Sequence, residues 1–395
     1  MDVTKPETPD RQIESASLKN KKPKRVILSV TNDLYSDQRV EKVCNSLSGM
    51  GFEVLLIGRR YQDSPELSRK VYKTKRLRLL FRKGPLFYAE FNIRLFLTLL
   101  FTRCDIFVAN DLDTLLPNFL VSKWKKKELV YDSHEYFCGV LEVLENPLSK
   151  KVWSRIEKRC FPHLKNVITV SQSIAEQYKQ EYGIPVKVVR NIPSGIRPPV
   201  TETRLSLGLP EDKMIVILQG TGLHRGRGAE EVAEAVMHVP GLVLLIVGSG
   251  DAIPAIKQKA GRKGLQDKII LVDRVSPEKL FNYTYLADIG ISLDRNVCPN
   301  HYFSLPNKVF EYIRAETPLI VSNLPERARI VNQYGVGIVL EDMKTEAIVE
   351  ALQTMVNDKE KYREFKNNCM IASKELTWEN EEKILEDIYL KFNKN

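Results

Sequence analysis

The segment Gly220-Thr221-Gly222-Leu223-His224-Arg225-Gly226-Arg227-Gly228 gathers the residue types that hold an anion. Its glycines let backbone N–H groups approach a ligand closely. Arg225 and Arg227 add fixed charge in a geometry that meets phosphate oxygens in pairs. A helical stretch begins at residue 229, and a helix N-terminus favours negative charge. The combination suits a diphosphate; a surface loop with solvated arginines is the plain alternative. A second such place is Ser304-Leu305-Pro306-Asn307-Lys308. Pro306 at a first helical position, after a Ser304 cap, predicts a helix start. The free N–H groups of residues 304–307, with Lys308, make another anion site. Glu311 lies four residues after Asn307, one turn deeper on the same face. Its carboxylate can accept hydrogen bonds from two adjacent ribose hydroxyls, or pair with Lys308 three residues before it.

Two further candidates lie in the first half. Asp132-Ser133-His134-Glu135 follows the apolar run ELVY, which puts His134 at the carboxyl end of a strand beside acidic neighbours able to set its tautomer or charge. Asn110-Asp111-Leu112-Asp113 ends another strand in the same way. The remaining histidines, His163, His224, His238 and His301, form no metal-ligand spacing, and the six cysteines are scattered without a CxxC. A dehydrogenase reading fails at the first turn, TNDLYSDQR, which has no glycine and so no G-x-G-x-x-G cradle. Gly248-Ser249-Gly250-Asp251 follows the second strand of its half and reads as a tight turn into a helix.

The elements that must position these residues follow a strand, helix, strand rhythm. Residues 25–30 and 52–58 are short apolar runs around a helix-period stretch at 40–50, a βαβ unit that implies a parallel sheet. The rhythm continues through strands at 105–109 and 128–132, a helix at 113–124 between them, and a helix capped by Ser171. Residues 192–212 hold several prolines and glycines with no hydrophobic period, and read as a linker. From 214 the pattern restarts, with strands at 214–218, 242–247, 268–272, 289–293, 319–322 and 337–340. The expected organisation is a disordered tail at 1–24, a Rossmann-like domain at 25–191, the linker, a second Rossmann-like domain at 213–375 and a C-terminal helix at 376–395. The fold class is α/β, with two parallel sheets facing across a cleft. Ligands of such sheets sit outside the carboxyl ends of the strands.

The net charge of +10 implies an anionic partner. Its densest basic run is 69–83, followed by an apolar stretch at 85–101. That stretch is too short and too interrupted by Glu90, Asn92 and Arg94 to span a bilayer. It reads either as a membrane-surface element or as a packed amphipathic helix, with Phe91, Leu95, Leu97 and Leu100 as candidate core. Residues 1–24 are polar and carry no apolar signal region, so the expected location is cytoplasmic, at most peripheral on the inner face of the membrane.

Taken together, these segments resemble the retaining glycosyltransferases of family 4, which have the GT-B fold. The resemblance covers residues 25–392 and runs through LQGTGLHRGRGAEE, LLIVGSGD and SLPNKVFEYIRAETPLIVSN. In the last of these, Glu311 matches the glutamate that binds the nucleotide ribose. LVYDSHE resembles the segment that supplies an active-site histidine, here His134. DIFVANDLD resembles a strand end that often reads His-x-His-Asp, which brings in Asp111. Residues 378–392 resemble a C-terminal helix that crosses back onto the first domain. Two departures stand out. The first glutamate of the family's Glu-x7-Glu motif falls at Phe303, which leaves the donor sugar open. The usual Arg…Lys pair appears as Arg225 and Arg227.

The resemblance implies transfer of a sugar from a nucleotide diphosphate sugar to an acceptor hydroxyl with retention. Gly220, Arg225, Arg227, Ser304, Asn307, Lys308 and Glu311 would hold the donor, and His134 and Asp111 would act at the sugar. The expected process is cell-surface polysaccharide or glycolipid synthesis. No cofactor and no metal are expected. The expected partners are the donor, a glycan or lipid-linked acceptor and an anionic membrane surface, with no nucleic acid. A nucleotide-sugar epimerase of the same fold is one rival, separated by whether nucleotide release depends on an acceptor. A nonenzymatic basic adaptor for lipid or nucleic acid is the other, and it leaves the Gly/Arg loop and Glu311 without a role.

Overall fold

The computed structural model describes residues 22–35, 37–224, 226–261 and 267–394. Most of the expected 1–24 tail, and Arg225 of the Gly/Arg loop, lie outside the described residues. The chain forms two sheets. The first takes β1 (Arg25–Asp33), β2 (Glu53–Arg60), β3 (Lys73–Arg78), β4 (Ile106–Asn110), β5 (Glu128–Ser133), β6 (Asn166–Thr169) and β7 (Val186–Val188), in the order β3-β2-β1-β4-β5-β6-β7. The second takes β8 (Met214–Gly220), β9 (Leu242–Gly248), β10 (Ile269–Val272), β11 (Ile289–Ser292), β12 (Leu319–Ser322) and β13 (Gly337–Leu340), in the order β10-β9-β8-β11-β12-β13. The second sheet is parallel throughout, and in the first β1 pairs in parallel with both β2 and β4. Each is the doubly wound order, in which the chain reverses direction across the sheet beside the first strand and leaves a crevice there for ligands.

The chain divides into two compact units, Met1–Tyr131 with Tyr389–Asn395, and Asp132–Ile388. In the first, the helix Gly84–Phe101 turns Phe87, Phe91, Leu95 and Leu99 onto Ile27, Ile57 and Phe107 of the sheet. A spacing of four keeps one face inward. Leu86, Ile93, Leu97 and Phe101 stay exposed. Of the candidate core residues, Phe91 and Leu95 are buried, while Leu97 is exposed and Leu100 only partly covered, because 97 and 100 lie off the face marked by 91, 95 and 99. The basic run at 69–83 contains β3, where only Leu77 is buried. It has no alternating apolar pattern because it is an edge strand, and lysines on an edge discourage pairing with other chains.

In the second unit, the middles of β8 and β9 are buried in the core, with Ile215, Ile217 and Leu245 on one face and Val216, Leu218, Leu244 and Ile246 on the other. At their carboxyl ends Gly220 pairs with Gly248. A Cβ on Gly248 (φ 139°) would stand 1.8 Å from the Gly220 carbonyl oxygen, so only glycine lets the two loops touch. The backbone then locks them, with Leu223 N–H donating to Ser249 O at 3.1 Å and Ala252 N–H to Leu223 O at 3.1 Å. Thus the 248–251 turn braces the Gly/Arg loop.

Candidate functional site

The loop after β8 ends at Gly228, which is left-handed at φ 78° and precedes the helix Ala229–Met237. A Cβ there would lie 2.6 Å from Leu293 Cβ, so glycine is what allows the loop to lie against the end of β11. Two residues past that strand is Asp294, 5% exposed. Its carboxylate meets Arg327 Nη2 at 2.6 Å and Arg227 Nε at 3.7 Å. Arg327, on the helix Pro325–Tyr334, is 1% exposed. Arg227 also lies 3.1 Å from His301 Nε2. These groups, with His134, Glu135, Ser304 and Lys308, line a cavity of about 240 Å³.

The electrostatics of this cavity are lopsided. Arg227, Lys308 and Arg327 face it, and Asp294 lies between two of them. Burial, then the neighbouring Arg227, pushes the His301 imidazole pKa down and favours the neutral ring. Burial also lowers Lys308 and Arg327, with Asp294 opposing it in both. The Nε and Nη1 atoms of Arg327 are buried and make no hydrogen bond. Buried donors of a charged group are costly to leave unpaired, and these two nitrogens have donor capacity to fill.

The other wall comes from the segment after β5. His134 Nε2 stands 3.6 Å from the Asp132 carboxylate, which is itself buried. Glu135 accepts from Asn300 Nδ2 at 3.1 Å, and Asn300 Oδ1 accepts from Tyr136 N–H at 3.0 Å. Ser171 caps the helix Gln172–Tyr182, accepting from Ile174 N–H, and its hydroxyl donates to Phe303 O at 2.9 Å. The Phe303 ring packs edge-on against Tyr136, with centroids 5.7 Å apart. The aromatic at the position where a motif carboxylate was expected thus serves as packing.

Glu311 is anchored one turn inside the helix Asn307–Arg314. Its carboxylate accepts from Gln219 Nε2 at 2.5 Å, and Gln219 Oε1 accepts from Thr284 Oγ1 at 2.6 Å. Gln219 directly precedes Gly220, so Glu311 is fixed beside the start of the Gly/Arg loop. The helix begins one residue later than its sequence predicts. Pro306 has an extended backbone (φ −67°, ψ 138°) and stands before the first turn. Ser304 is therefore too far back to cap, and its hydroxyl donates to His301 O at 3.0 Å.

Of the residues singled out from sequence, the structure brings His134, Arg227, Ser304 and Lys308 to one cavity. Gly220, Asn307 and Glu311 belong to the loop and helix that bound it without being among its walls. Asp111 belongs to the first unit. There it holds φ 59° and ψ 167° at the start of the helix Leu112–Lys125, a conformation almost confined to glycine. Sequence reasoning missed Asp294, Arg327, His301 and Gln219. Asp294 carried a usable signal, since it follows the strand beside the switch point. Arg327 carried none, because the stretch PERAR reads as a solvated helix face.

Comparisons with known proteins place the chain in a family and a fold. Residues 37–198 match the family described as Glycosyltransferase Family 4, and residues 200–370 match Glycosyl transferases group 1. An uncharacterised glycosyltransferase of Methanocaldococcus jannaschii is 23% identical over 205 residues, which are 49% of this chain and 51% of that protein. The chain thus spans about half the length of this curated relative. Among solved structures, sucrose-phosphate synthase of Thermosynechococcus elongatus superposes with a TM-score of 0.76 at 18% identity, over 93% of this chain and 98% of that one. Anabaena HepE in complex with UDP and glucose gives a TM-score of 0.71 at 13% identity, over 93% and 100%. Two Rossmann-like domains with parallel sheets are the GT-B architecture. The chain belongs to the group 1, family 4 glycosyltransferases, and is an enzyme of the transferase class.

Proposed function

We propose that the protein moves a sugar from a nucleotide diphosphate sugar to an acceptor hydroxyl, with retention at the anomeric carbon. The observation that carries this reading is the cavity in which Arg227, Lys308 and buried Arg327 gather around Asp294, with Glu135 on the other wall and two Arg327 nitrogens without a hydrogen bond. A diphosphate supplies the acceptor oxygens those donors lack. The hard step is departure of the diphosphate from an oxocarbenium-like carbon, when charge builds on the phosphate oxygens. Fixed guanidinium and ammonium groups in a desolvated cavity stabilise that charge without reorganising. Glu311, held by Gln219, receives the ribose hydroxyls. His134, beside the Asp132 carboxylate, serves the sugar side. The neighbour solved with UDP and glucose supports a uridine nucleotide as the first donor to try.

The three cationic side chains supply the charge a divalent ion would bring, so the proposed reaction uses no metal. The acceptor is a glycan or a lipid-linked sugar of cell-surface polysaccharide or glycolipid synthesis. Exposed Leu86, Ile93, Leu97 and Phe101 on one helix, near the basic strand β3, support peripheral contact with an anionic membrane. No helix among the described residues is long and apolar enough to cross a membrane.

The test is a thermal-shift panel of nucleoside diphosphates and nucleotide sugars, since a ligand of the folded state raises the midpoint by mass action. A positive donor is then assayed for sugar transfer. A shift by one diphosphate series that is reduced in Glu311→Ala, followed by acceptor-dependent sugar transfer, supports the reading. Equal shifts in both proteins, or nucleotide release that never depends on an acceptor, overturn it.

A further inference from the structure

The first unit holds a second cavity, of about 550 Å³, which shares no residue with the one above. It lies at the carboxyl ends of β2 and β3, the edge where parallel sheets of this kind bind ligands. Arg59 and Arg60 end β2, Arg78 ends β3, and Arg82 follows in the next loop; Tyr61 and Phe81 complete the wall used here. No lining residue is acidic.

Two of these arginines, Arg59 and Arg82, are held in place, not merely close in sequence. The Arg59 guanidinium lies 4.1 Å from the Tyr61 ring centre and 4.6 Å from that of Phe87. Its Nη1 donates to Arg82 O at 3.4 Å, its Nε is buried without a hydrogen bond, and burial lowers its pKa. Arg82 donates to the Gln62 side chain. The loop between β3 and the next helix is pinned from below by Glu90, which accepts from Leu80 N–H at 2.9 Å and Phe81 N–H at 3.0 Å. That carboxylate is also engaged by Arg94 Nε at 2.8 Å. It therefore shapes the wall rather than neutralising it.

Four guanidinium groups line one opening and give it a positive potential, which Asp33 and Asp113 offset at Arg59. A guanidinium pairs phosphate oxygens in a bidentate fork, so several together select closely spaced phosphates. We propose that this cavity binds a phosphate-bearing group of the diphosphate class. On the glycosyltransferase reading above, that group belongs to the acceptor. The binding site itself stands without that reading.

The experiment titrates inorganic pyrophosphate into the full chain carrying Arg227→Ala and Arg327→Met, which weakens the other anion cavity. Binding is expected to persist there. Adding Arg60→Gln, Arg78→Gln and Arg82→Gln, all exposed positions, is expected to weaken it about tenfold or more, with an unchanged thermal midpoint. A matched variant, Lys75→Gln with Arg103→Gln and Lys123→Gln, removes the same charge from the same unit and is expected to keep the affinity. Loss of binding in the starting variant, equal affinity after the three glutamine changes, or an equal loss in the matched variant overturns the proposal.

A second arm separates the sources of phosphate, using vesicles of phosphatidylcholine with phosphatidic acid. Pyrophosphate that displaces the protein from these vesicles identifies a lipid-borne phosphate. Pyrophosphate binding with no vesicle binding identifies a soluble phosphate-bearing ligand. Failure of the donor reading is recognised separately, by absence of a nucleoside diphosphate thermal shift in the wild-type chain.

Discussion

Arg327 is the residue on which the site's chemistry turns. Its charge meets the leaving diphosphate where the transition state is more negative than the ground state, so its loss affects turnover more than donor binding. Arg327→Met is expected to lower kcat about a hundredfold while the donor KM rises much less, the scale seen when one preorganised donor to a developing anion is removed. Because Asp294 would be left with Arg227 alone, Arg327→Met with Asp294→Asn serves as the folding control; if the double variant folds and turns over normally, the role fails. Glu311→Ala should weaken nucleotide binding by about 1.5–3 kcal/mol, the range for hydrogen bonds to a charged group, read by calorimetry with the nucleoside diphosphate. His301 gives a pH signature. Its pKa is depressed on folding, so above about pH 6.5 the ring is neutral in both states and its full contribution to stability is present. As pH falls further, the unfolded chain takes up the proton first, and stability is lost until the folded ring titrates too. Thermal midpoints from about pH 7.5 down to 5.5 should fall less steeply in His301→Gln than in the wild type.

At the scale of elements, the loops after β8 and β11 depend on one close approach. Gly228→Ala puts a Cβ into Leu293 and forces an alanine to positive φ. It should cost more than about 1 kcal/mol and weaken nucleotide binding together with stability, which thermal melts with and without ligand will resolve. Most elements were legible in the chain. The runs MIVIL and LVLLIV are strands because they are short, apolar and bounded by turn residues, and Ser171 caps the helix its sequence announces. What escaped included the helices Leu141–Glu145 and Pro147–Cys160, β3, whose KTKRLR has no alternation for an edge strand to display, and the helix start at Asn307, where proline was compatible with two neighbouring positions. The site was half legible for the same reason. Loops at strand ends can be counted off a βαβ rhythm, which found His134 and Arg227, and a proline-marked helix start found Lys308. Arg327 reaches the cavity from the interior of a later helix, and no local pattern tells a buried arginine from a solvated one.

Across the whole molecule, charge is distributed by task. The cation-rich cavity of the second unit is the reason to expect chelation by EDTA to leave transfer activity nearly intact; restoration of a lost activity by magnesium or manganese would reverse that expectation. The first unit concentrates its basic residues at β3 and the loop after it, so vesicle binding should need anionic lipid and fall with salt. Neutralising Lys75, Arg76, Arg78, Arg82 and Lys83 together should abolish it in co-sedimentation.

The helix Pro325–Tyr334 carries two neighbours with separate duties. Arg327 reaches the anion cavity, and Glu326, 3% exposed, accepts from the Ser173 backbone N–H at 2.9 Å and its hydroxyl at 2.6 Å. Successive helical residues are fixed about a hundred degrees apart, so a ligand that orders Arg327 is expected to steady the helix that also carries Glu326. The amide of Ser173 is therefore a remote gauge of occupancy. Its hydrogen–deuterium exchange should slow when diphosphate enters the cavity, and should ignore the ligand once residue 327 is methionine.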